Sequence, residues 1–207
     1  MNYQIIKPAQ RHISNWAGGK TEELFIHPAG AQYSARDFDF RVSTAVVELG
    51  QSDFTPLPSY TRWIATLEGH ICLTHKEHGQ QINLEPMQPH CFEGGWSTRC
   101  TGTCTDFNLM LGCGWNGYIS PTPQQFLCAA REIIGVFAFG APVALILLPG
   151  SGQMCVGMDD PNVTPMTIPA ERILLAHRDM FIINTPCAIT VEDHHAAQSI
   201  LFKAWAD

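Results

Sequence analysis

Hydrophobic and polar residues alternate with a period of two along several short segments of the first half of the chain. The alternation runs through residues 38–49, 63–67, 71–75 and 105–111. In the last of these, the odd positions from Phe107 to Leu111 are apolar, and the even positions begin with Asp106 and Asn108. Such alternation is typical of β-strands with one buried face. The pair Glu68 and Gly69 predicts a turn between the second and third segments.

The second half also predicts short strands, at residues 172–175, 180–184, 188–191 and 199–205. Residues 133–148 carry no charge and approach the length of a membrane span, but the Phe-Gly-Ala-Pro sequence at 139–142 is a turn signal. We therefore predict two short buried strands there and no transmembrane helix. The one helix that we expect is short, at 123–131, where a Pro-x-Gln-Gln sequence suits a first turn.

Many short strands separated by turn signals indicate an all-β sandwich, barrel or jelly roll. Residues 113–117, Cys-Gly-Trp-Asn-Gly, are followed by Pro121 and Pro123 and divide the chain into halves of similar strand content. The simplest architecture is two barrel-like units, with residues 1–118 carrying the candidate pocket and residues 119–207 packed on them.

The charge of the chain excludes some classes of large partner. The net charge is -7, and the 12 basic residues are scattered singly. Nucleic-acid binding needs clustered Lys and Arg, and an anionic membrane does not attract an acidic surface. A single buried Arg can still bind a small anion. Residues 1–16 contain no apolar signal-peptide core, so we expect a cytoplasmic protein. We expect its eight cysteines to be buried and reduced.

Two arginines on predicted strands are candidates for ligand binding. Arg41 and Arg62 each point either to solvent or into a barrel lumen. An Arg inside a lumen needs a carboxylate partner or an anionic ligand, because an unpaired buried charge is costly. Asp106 and Asn108 share a strand face and either partner such an arginine or lie on a solvated face.

A glycine-containing segment, residues 16–24 (Trp-Ala-Gly-Gly-Lys-Thr-Glu-Glu-Leu), is the most unusual of the first half. It fits neither the P-loop nor the dinucleotide-binding pattern. Taken alone, it favours a glycine turn with Trp16 packed in the core.

The sequence offers no evident metal centre or nucleophile. A catalytic metal in a β-barrel needs about three His and a carboxylate that converge from adjacent strands. His75 and His78 flank a predicted hairpin tip, and His194 and His195 lie in a polar stretch, so we expect all four to be exposed and unliganded. Ser151 lies in a Pro-Gly-Ser-Gly turn, and no Gly-x-Ser-x-Gly motif is present. We therefore predict no catalytic residue, no metal and no cofactor.

Four segments together resemble the HutD/Ves family. They are residues 16–24, 38–45 (Phe-Asp-Phe-Arg-Val-Ser-Thr-Ala), 61–69 (Thr-Arg-Trp-Ile-Ala-Thr-Leu-Glu-Gly) and 105–110 (Thr-Asp-Phe-Asn-Leu-Met). The family form of the first segment often has three glycines, whereas this chain has Ala17 followed by Gly18 and Gly19. The resemblance covers about the first 110 residues and implies an all-β bicupin, with two RmlC-like jelly-roll barrels.

The resemblance also implies a function and a site. It implies a non-catalytic protein that binds a small carboxylate metabolite, such as a formylated glutamate, and regulates histidine utilisation. Arg62 becomes the leading anion-binding residue. The residues implied to line or support the same pocket are Arg41, Ser43, Asp106, Asn108, Thr21, Glu23 and Trp16. The alternatives are a metal-dependent cupin enzyme of isomerase or dioxygenase type, and a scaffold that forms a homodimer through an edge sheet.

Overall fold

The computed structural model describes residues 1–149, 170–192 and 199–207. These residues form β-strands joined by turns, with one 3-10 turn at Pro8–Gln10. In chain order the strands are β1 (Tyr3–Ile6), β2 (His12–Trp16), β3 (Gly19–His27), β4 (Phe40–Val47), β5 (Gln51–Asp53), β6 (Thr61–His75), β7 (Gln80–Leu84), β8 (His90–Glu93), β9 (Thr98–Leu111), β10 (Trp115–Pro121), β11 (Gln125–Cys128), β12 (Glu132–Ala138), β13 (Val143–Pro149), β14 (Glu171–Leu175), β15 (Met180–Ile183), β16 (Cys187–Glu192) and β17 (Ser199–Ala206). The all-β class predicted from the alternation is confirmed.

The strands form three antiparallel sheets. The largest has the order β2-β3-β4-β9-β6-β7, with β5 paired to β9 and β8 paired to β6. A five-stranded sheet has the order β1-β15-β12-β17-β10, and a four-stranded sheet has the order β11-β16-β13-β14. In the part of the chain that the structure describes, none of the three sheets closes on itself.

The three central strands of the five-stranded sheet, β15, β12 and β17, are buried on both faces. On β12, Phe137 faces a core shared with Phe107 of the large sheet, whereas Val136 faces a second core shared with Leu145 of the four-stranded sheet. β17 repeats the alternation, with Phe202 in the first core and Leu201 in the second. A strand covered on both faces reads as a continuous apolar run. This explains the uncharged residues of β12, whereas β13 buries mainly one face, with Val143, Leu145 and Leu147 in the second core. The two strands predicted around the turn are confirmed. No helix long and apolar enough to cross a membrane occurs among the described residues.

The predicted turn at Glu68 and Gly69 is wrong. β6 runs without interruption from Thr61 to His75, with a β-bulge between Thr66 and Glu68 in its pairing with β9. Gly69 has a φ of 78°, and a Cβ atom there would lie 2.4 Å from the carbonyl oxygen of Thr103. The glycine therefore allows two long strands to bend and approach each other, rather than reversing the chain.

The predicted helix at 123–131 is also wrong, because this segment contains strand β11. It pairs with β16, and Cys128 is buried in the core between the two smaller sheets. Pairing and burial on one face outweigh the weak local preference for a helix. By contrast, the four strands predicted at 172–205 are confirmed as β14, β15, β16 and β17.

The division of the chain at residue 118 stays a prediction, and two features bear on it. β10 spans that position and pairs along its length with β17. β1 pairs with β15, so the first strand of the chain belongs to a sheet that is otherwise built from the second half.

Candidate functional site

A cavity of about 290 Å³ lies against the large sheet, where β4, β9 and β6 are neighbours. Its volume is close to the lower end of small-molecule pockets, which span about 300–1,000 Å³. Its lining residues mix charged, polar and aromatic side chains: Ser14, Asn15, Trp16, Thr21, Tyr33, Arg41, Ser43, Ala45, Asp53, Phe54, Thr55, Arg62, Asp106, Asn108 and Met110.

The strand register explains why these side chains converge. Asp106, Asn108 and Met110 alternate along β9 and therefore share one face. Across from Met110 lie Arg41 on β4 and Arg62 on β6, one on each side. Directly opposed residues in an antiparallel pair project to the same face of a sheet, so the two arginines reach the same cavity.

Arg62 is buried, with 6% of its surface exposed. Its Nη2 donates a hydrogen bond to Oδ1 of Asn108 at 3.2 Å, and its guanidinium lies 5.0 Å from the ring centre of Phe54 and 5.2 Å from that of Phe92. Its Nε is buried and has no hydrogen-bond partner. Burial lowers the pKa of Arg62 to about 10, so the side chain stays cationic at neutral pH. It is a buried cation with an unused donor beside a cavity.

Asp106 is a buried carboxyl group that is linked to Arg62 through an amide. Its Oδ1 accepts hydrogen bonds from Nδ2 of Asn108 at 2.8 Å and from the backbone N of Ala45 at 3.0 Å. Burial raises the pKa of Asp106 to about 7, against the opposing effects of these two hydrogen bonds and of the nearby arginines. Near neutral pH this carboxyl group therefore populates both of its protonation states.

Arg41 differs from Arg62 because it has a carboxylate partner. Its Nε donates to Oε2 of Glu23 at 2.7 Å, and its Nη1 donates to Oγ of Ser43 at 3.1 Å. Its guanidinium also lies 4.5 Å from the ring centre of Tyr33. Arg41 is therefore ion-paired to Glu23, whereas Arg62 is the buried cation with an unused donor.

Trp16 and Thr21 reach the cavity from the hairpin formed by β2 and β3. The indole Nε1 of Trp16 is buried and has no hydrogen-bond partner. A Cβ atom at Gly18 would lie 2.0 Å from the Trp16 ring, so glycine is required for the indole to fold over the turn. Trp16 thus supplies a second unused N–H donor in a cavity wall.

The structure brings the eight predicted site residues together. Seven of them line the cavity, and Glu23 contacts it through Arg41. The alternatives of solvent-facing Arg41 and Arg62, and of a solvated face for Asp106 and Asn108, are not what the fold adopts. A ligand-binding role for these residues stays a prediction.

Sequence reasoning missed the other lining residues. Met110 follows the period of Asp106 and Asn108 and could have been found from it. Tyr33 and Phe54 reach the cavity from segments outside the strands and carry no periodic signal.

The prediction of an exposed histidine at position 75 is wrong. His75 is fully buried at the end of β6, on the same face as Leu73. Its Nδ1 lies 2.9 Å from Oγ1 of Thr98, and its Nε2 lies 3.0 Å from Nε2 of His90. One proton between those two nitrogens satisfies both rings. His78 is exposed, and its ring centre lies 4.3 Å from that of Trp96. Ser151, His194 and His195 lie outside the described residues.

Acidification from pH 7 to pH 5 is expected to weaken the fold through this histidine pair. Burial lowers the pKa of both His75 and His90 below 6.5, so the unfolded state takes up protons first as the pH falls. Substitution His90→Gln removes one of the two groups. Urea unfolding should then show a smaller difference between the variant and the wild type at pH 5 than at pH 7. The control is His12→Gln, at an exposed histidine, whose unfolding free energy should differ from that of the wild type by the same amount at pH 5 and at pH 7. If the difference between His90→Gln and the wild type is also the same at both pH values, the expectation is contradicted.

Of the eight cysteines, the structure describes seven, all as free thiols. Cys100, Cys104, Cys128 and Cys187 are buried, as expected, whereas Cys91 and Cys113 are exposed. Burial raises the pKa of the Cys100 and Cys128 thiols to about 12, which keeps them neutral. Over residues 1–149, 170–192 and 199–207, no three His, Cys, Asp or Glu side chains are grouped so that they could hold a metal ion.

Known structures share this fold over the whole chain. The chain is similar to the structure of HutD from Pseudomonas fluorescens SBW25 (formate condition), at 20% identity and a TM-score of 0.71, with both chains fully covered. It is equally similar to a conserved protein of unknown function from Pseudomonas aeruginosa PAO1, at 19% identity and a TM-score of 0.73, again with both chains fully covered. A mutant of Bacillus subtilis oxalate decarboxylase matches 98% of this chain and 77% of its own, at 7% identity and a TM-score of 0.59. These identities establish the fold alone, which is cupin-like.

The sequence itself gives a more specific match. No curated protein matches the chain. The family model described as HutD matches residues 9–191, which is most of the chain and includes all eight predicted site residues. The chain therefore belongs to the HutD family.

Proposed function

We propose that this protein is a non-catalytic binding protein of HutD type, which takes a small carboxylate metabolite into the cavity beside Arg62 and regulates histidine utilisation. The observation that carries the proposal is the state of Arg62. Within the described residues this buried guanidinium donates its one side-chain hydrogen bond to the neutral amide of Asn108, its Nε has no partner, and it lines a cavity. A buried cation without a direct ion pair is costly, and an anionic ligand reduces that cost.

The geometry favours a carboxylate over other anions. A guanidinium presents N–H groups in a planar fork, which matches the two oxygens of a carboxylate. The indole N–H of Trp16 and the hydroxyl groups of Ser43 and Thr21 provide further donors around the same space. The volume of about 290 Å³ suits a small metabolite rather than a nucleotide cofactor.

The fold is also consistent with two cupin-type units. In this proposal the large sheet forms the first unit and holds the cavity, and the two smaller sheets form the second. The likeness to oxalate decarboxylase supports a cupin-like fold, and it carries no argument for a shared reaction.

The test is a thermal-shift series with formate, acetate, succinate and glutamate, with acetamide as the uncharged control. Formate is included because a HutD structure was obtained in a formate condition. A ligand that binds only the native state raises the melting temperature. At least one carboxylate should do so in the wild type, and Arg62→Ala should abolish that shift, measured against the variant's own unliganded value.

Two further variants make the test specific. Arg62→Lys keeps the charge but removes the planar fork, so it should retain only part of the shift. Arg172→Ala removes an exposed arginine that pairs with Glu192 on the four-stranded sheet, and the full shift should remain. A full shift in Arg62→Ala would remove Arg62 from the site.

A further inference from the structure

The carboxyl group of Asp106 is the least expected feature of a cavity that is proposed to bind an anion. It is 2% exposed, and its two recorded donors are uncharged, the amide of Asn108 and the backbone N of Ala45. Arg62 reaches it only through Asn108, by one contact of 3.2 Å and one of 2.8 Å. Asp106 is thus buried near two arginines, and among the described residues its hydrogen-bond donors are Asn108 and Ala45 rather than either guanidinium.

An anion bound at Arg62 would lie near this carboxyl group, because both residues line the same cavity. Two negative charges in a buried space repel each other strongly, and one of them is neutralised by a proton in such pairs. The ligand would also occupy the guanidinium whose positive charge favours the ionised form of Asp106. Both effects raise the pKa of Asp106 when the ligand is bound.

We propose that a carboxylate ligand enters this cavity together with one proton from solvent, which Asp106 takes up to become a neutral carboxyl group. This inference rests on the proposed function and specifies its regulation and its ligand class. The protonated Asp106 can donate its O–H to the ligand, and it offers no counter-ion to an ammonium group. The cavity should therefore prefer carboxylates without a neighbouring ammonium group to free amino acids.

The charge state of the surroundings supports this step. The pKa of Asp106 is already about 7 in the unliganded protein, so a small further rise changes its state near neutral pH. Arg41 and Arg62 are the cations that face it. The thiols of Cys100 and Cys104 on the same strand have raised pKa values and stay neutral, and Asp53 has a lowered pKa and stays ionised. Glu23 is held by Arg41, and Tyr33 covers Arg41 from the other side.

Calorimetric titration with acetate and with formate, in HEPES and in Tris at equal pH, tests the proposal. The difference in heat between buffers of different protonation enthalpy gives the number of protons taken up. We expect about half a proton per ligand at pH 7, rising towards one at pH 8.5, because a group with a pKa of about 7 is half protonated at pH 7. The affinity should fall about tenfold for each pH unit above 7.

The variant Asp106→Asn keeps an oxygen for the two existing hydrogen bonds but cannot take up a proton. It should bind acetate without a buffer-dependent heat and with an affinity that does not change between pH 7 and pH 8.5. The matched control is Asp39→Asn, which removes a carboxylate outside the cavity and should keep the proton uptake. An infrared difference spectrum of acetate binding should show a new protonated-carboxyl band in the wild type, and the band should be absent in Asp106→Asn.

The outcomes separate this inference from the proposed function. Binding of acetate or formate without proton uptake, or with uptake that persists in Asp106→Asn, would overturn the inference and leave the proposed function standing. Preferential binding of glycine, with an affinity that rises with pH, would also overturn it, because Asp106 would then pair as an anion with the ammonium group. Absence of binding by every carboxylate at every pH would overturn both.

Discussion

Substitution Phe107→Ala is expected to lower the free energy of unfolding by about 3–5 kcal/mol, which is the usual cost of removing a fully buried phenylalanine. Phe107 has no exposed surface, and its ring lies 5.9 Å from that of Phe137 in the core between the large and five-stranded sheets. The cavity left by the substitution lies where strands from both halves of the chain meet. Urea unfolding followed by tryptophan fluorescence and by far-UV circular dichroism would measure the loss.

The same experiment tests whether the two halves unfold together. Because the core is shared, both probes should report one transition that moves to lower urea concentration. Phe126→Ala provides a control, since that ring is only partly buried and packs on the other core, so its loss should be smaller. A Phe107→Ala protein with two transitions, of which only one has moved, would show that the halves are stabilised independently.

Asp106→Asn should make the protein more stable at alkaline pH. The folded Asp106 keeps its proton up to a pKa of about 7, whereas the unfolded side chain loses it near 3.8. The folded state therefore binds more protons between these values, and stability falls as the pH rises from about 4 to about 7. The difference between the folded and unfolded pKa values corresponds to about 4 kcal/mol of unfolding free energy. Asn carries no charge and does not lose this stability as the pH rises.

The measurement is the difference in unfolding free energy between wild type and Asp106→Asn at pH 4.5, 6 and 8. The unfolding free energy of the variant should increase relative to that of the wild type as the pH rises, and this increase should level off above about pH 7. Asp39→Asn, at an exposed carboxylate near His27, should show no such trend. A difference that stays constant across the three pH values would show that Asp106 has the same affinity for protons in both states.

The alternation of residue types was sufficient to predict the strand class and the positions of β4, β9 and the two halves of β6. Phe107, Leu109 and Leu111 are apolar residues at alternate positions and all face the core. Their spacing therefore predicts both the strand and its buried face. The strands β14, β15, β16 and β17 were also predicted, whereas β1, β2, β3, β5, β7, β8 and β10 were not. The segment at 123–131 was not predicted as a strand, because its strand depends on pairing with β16, which is distant in sequence.

The candidate site could be predicted from the sequence only in part, for a physical reason. Polar residues on alternate positions of a strand look the same whether they face solvent or a polar cavity, so Asp106 and Asn108 could not be placed from sequence. The buried state of His75 depends on β6 continuing past a bulge, which a local turn signal concealed. Resemblance to a family supplied the grouping of these residues, and the strand register accounts for it.

The pairing of β1 with β15 has a consequence for the order in which the chain can fold. Tyr3–Ile6 is synthesised well before its partner Met180–Ile183, from which it is separated by more than 170 residues. During synthesis β1 therefore stays unpaired until β15 has been made, and closing the long loop between these two strands is slow. A chain that ends before β15 would leave β1 unpaired and would also leave the Phe107 face of the large sheet partly uncovered. The late strands β15 and β17 therefore complete both the pairing of β1 and the core on the large sheet.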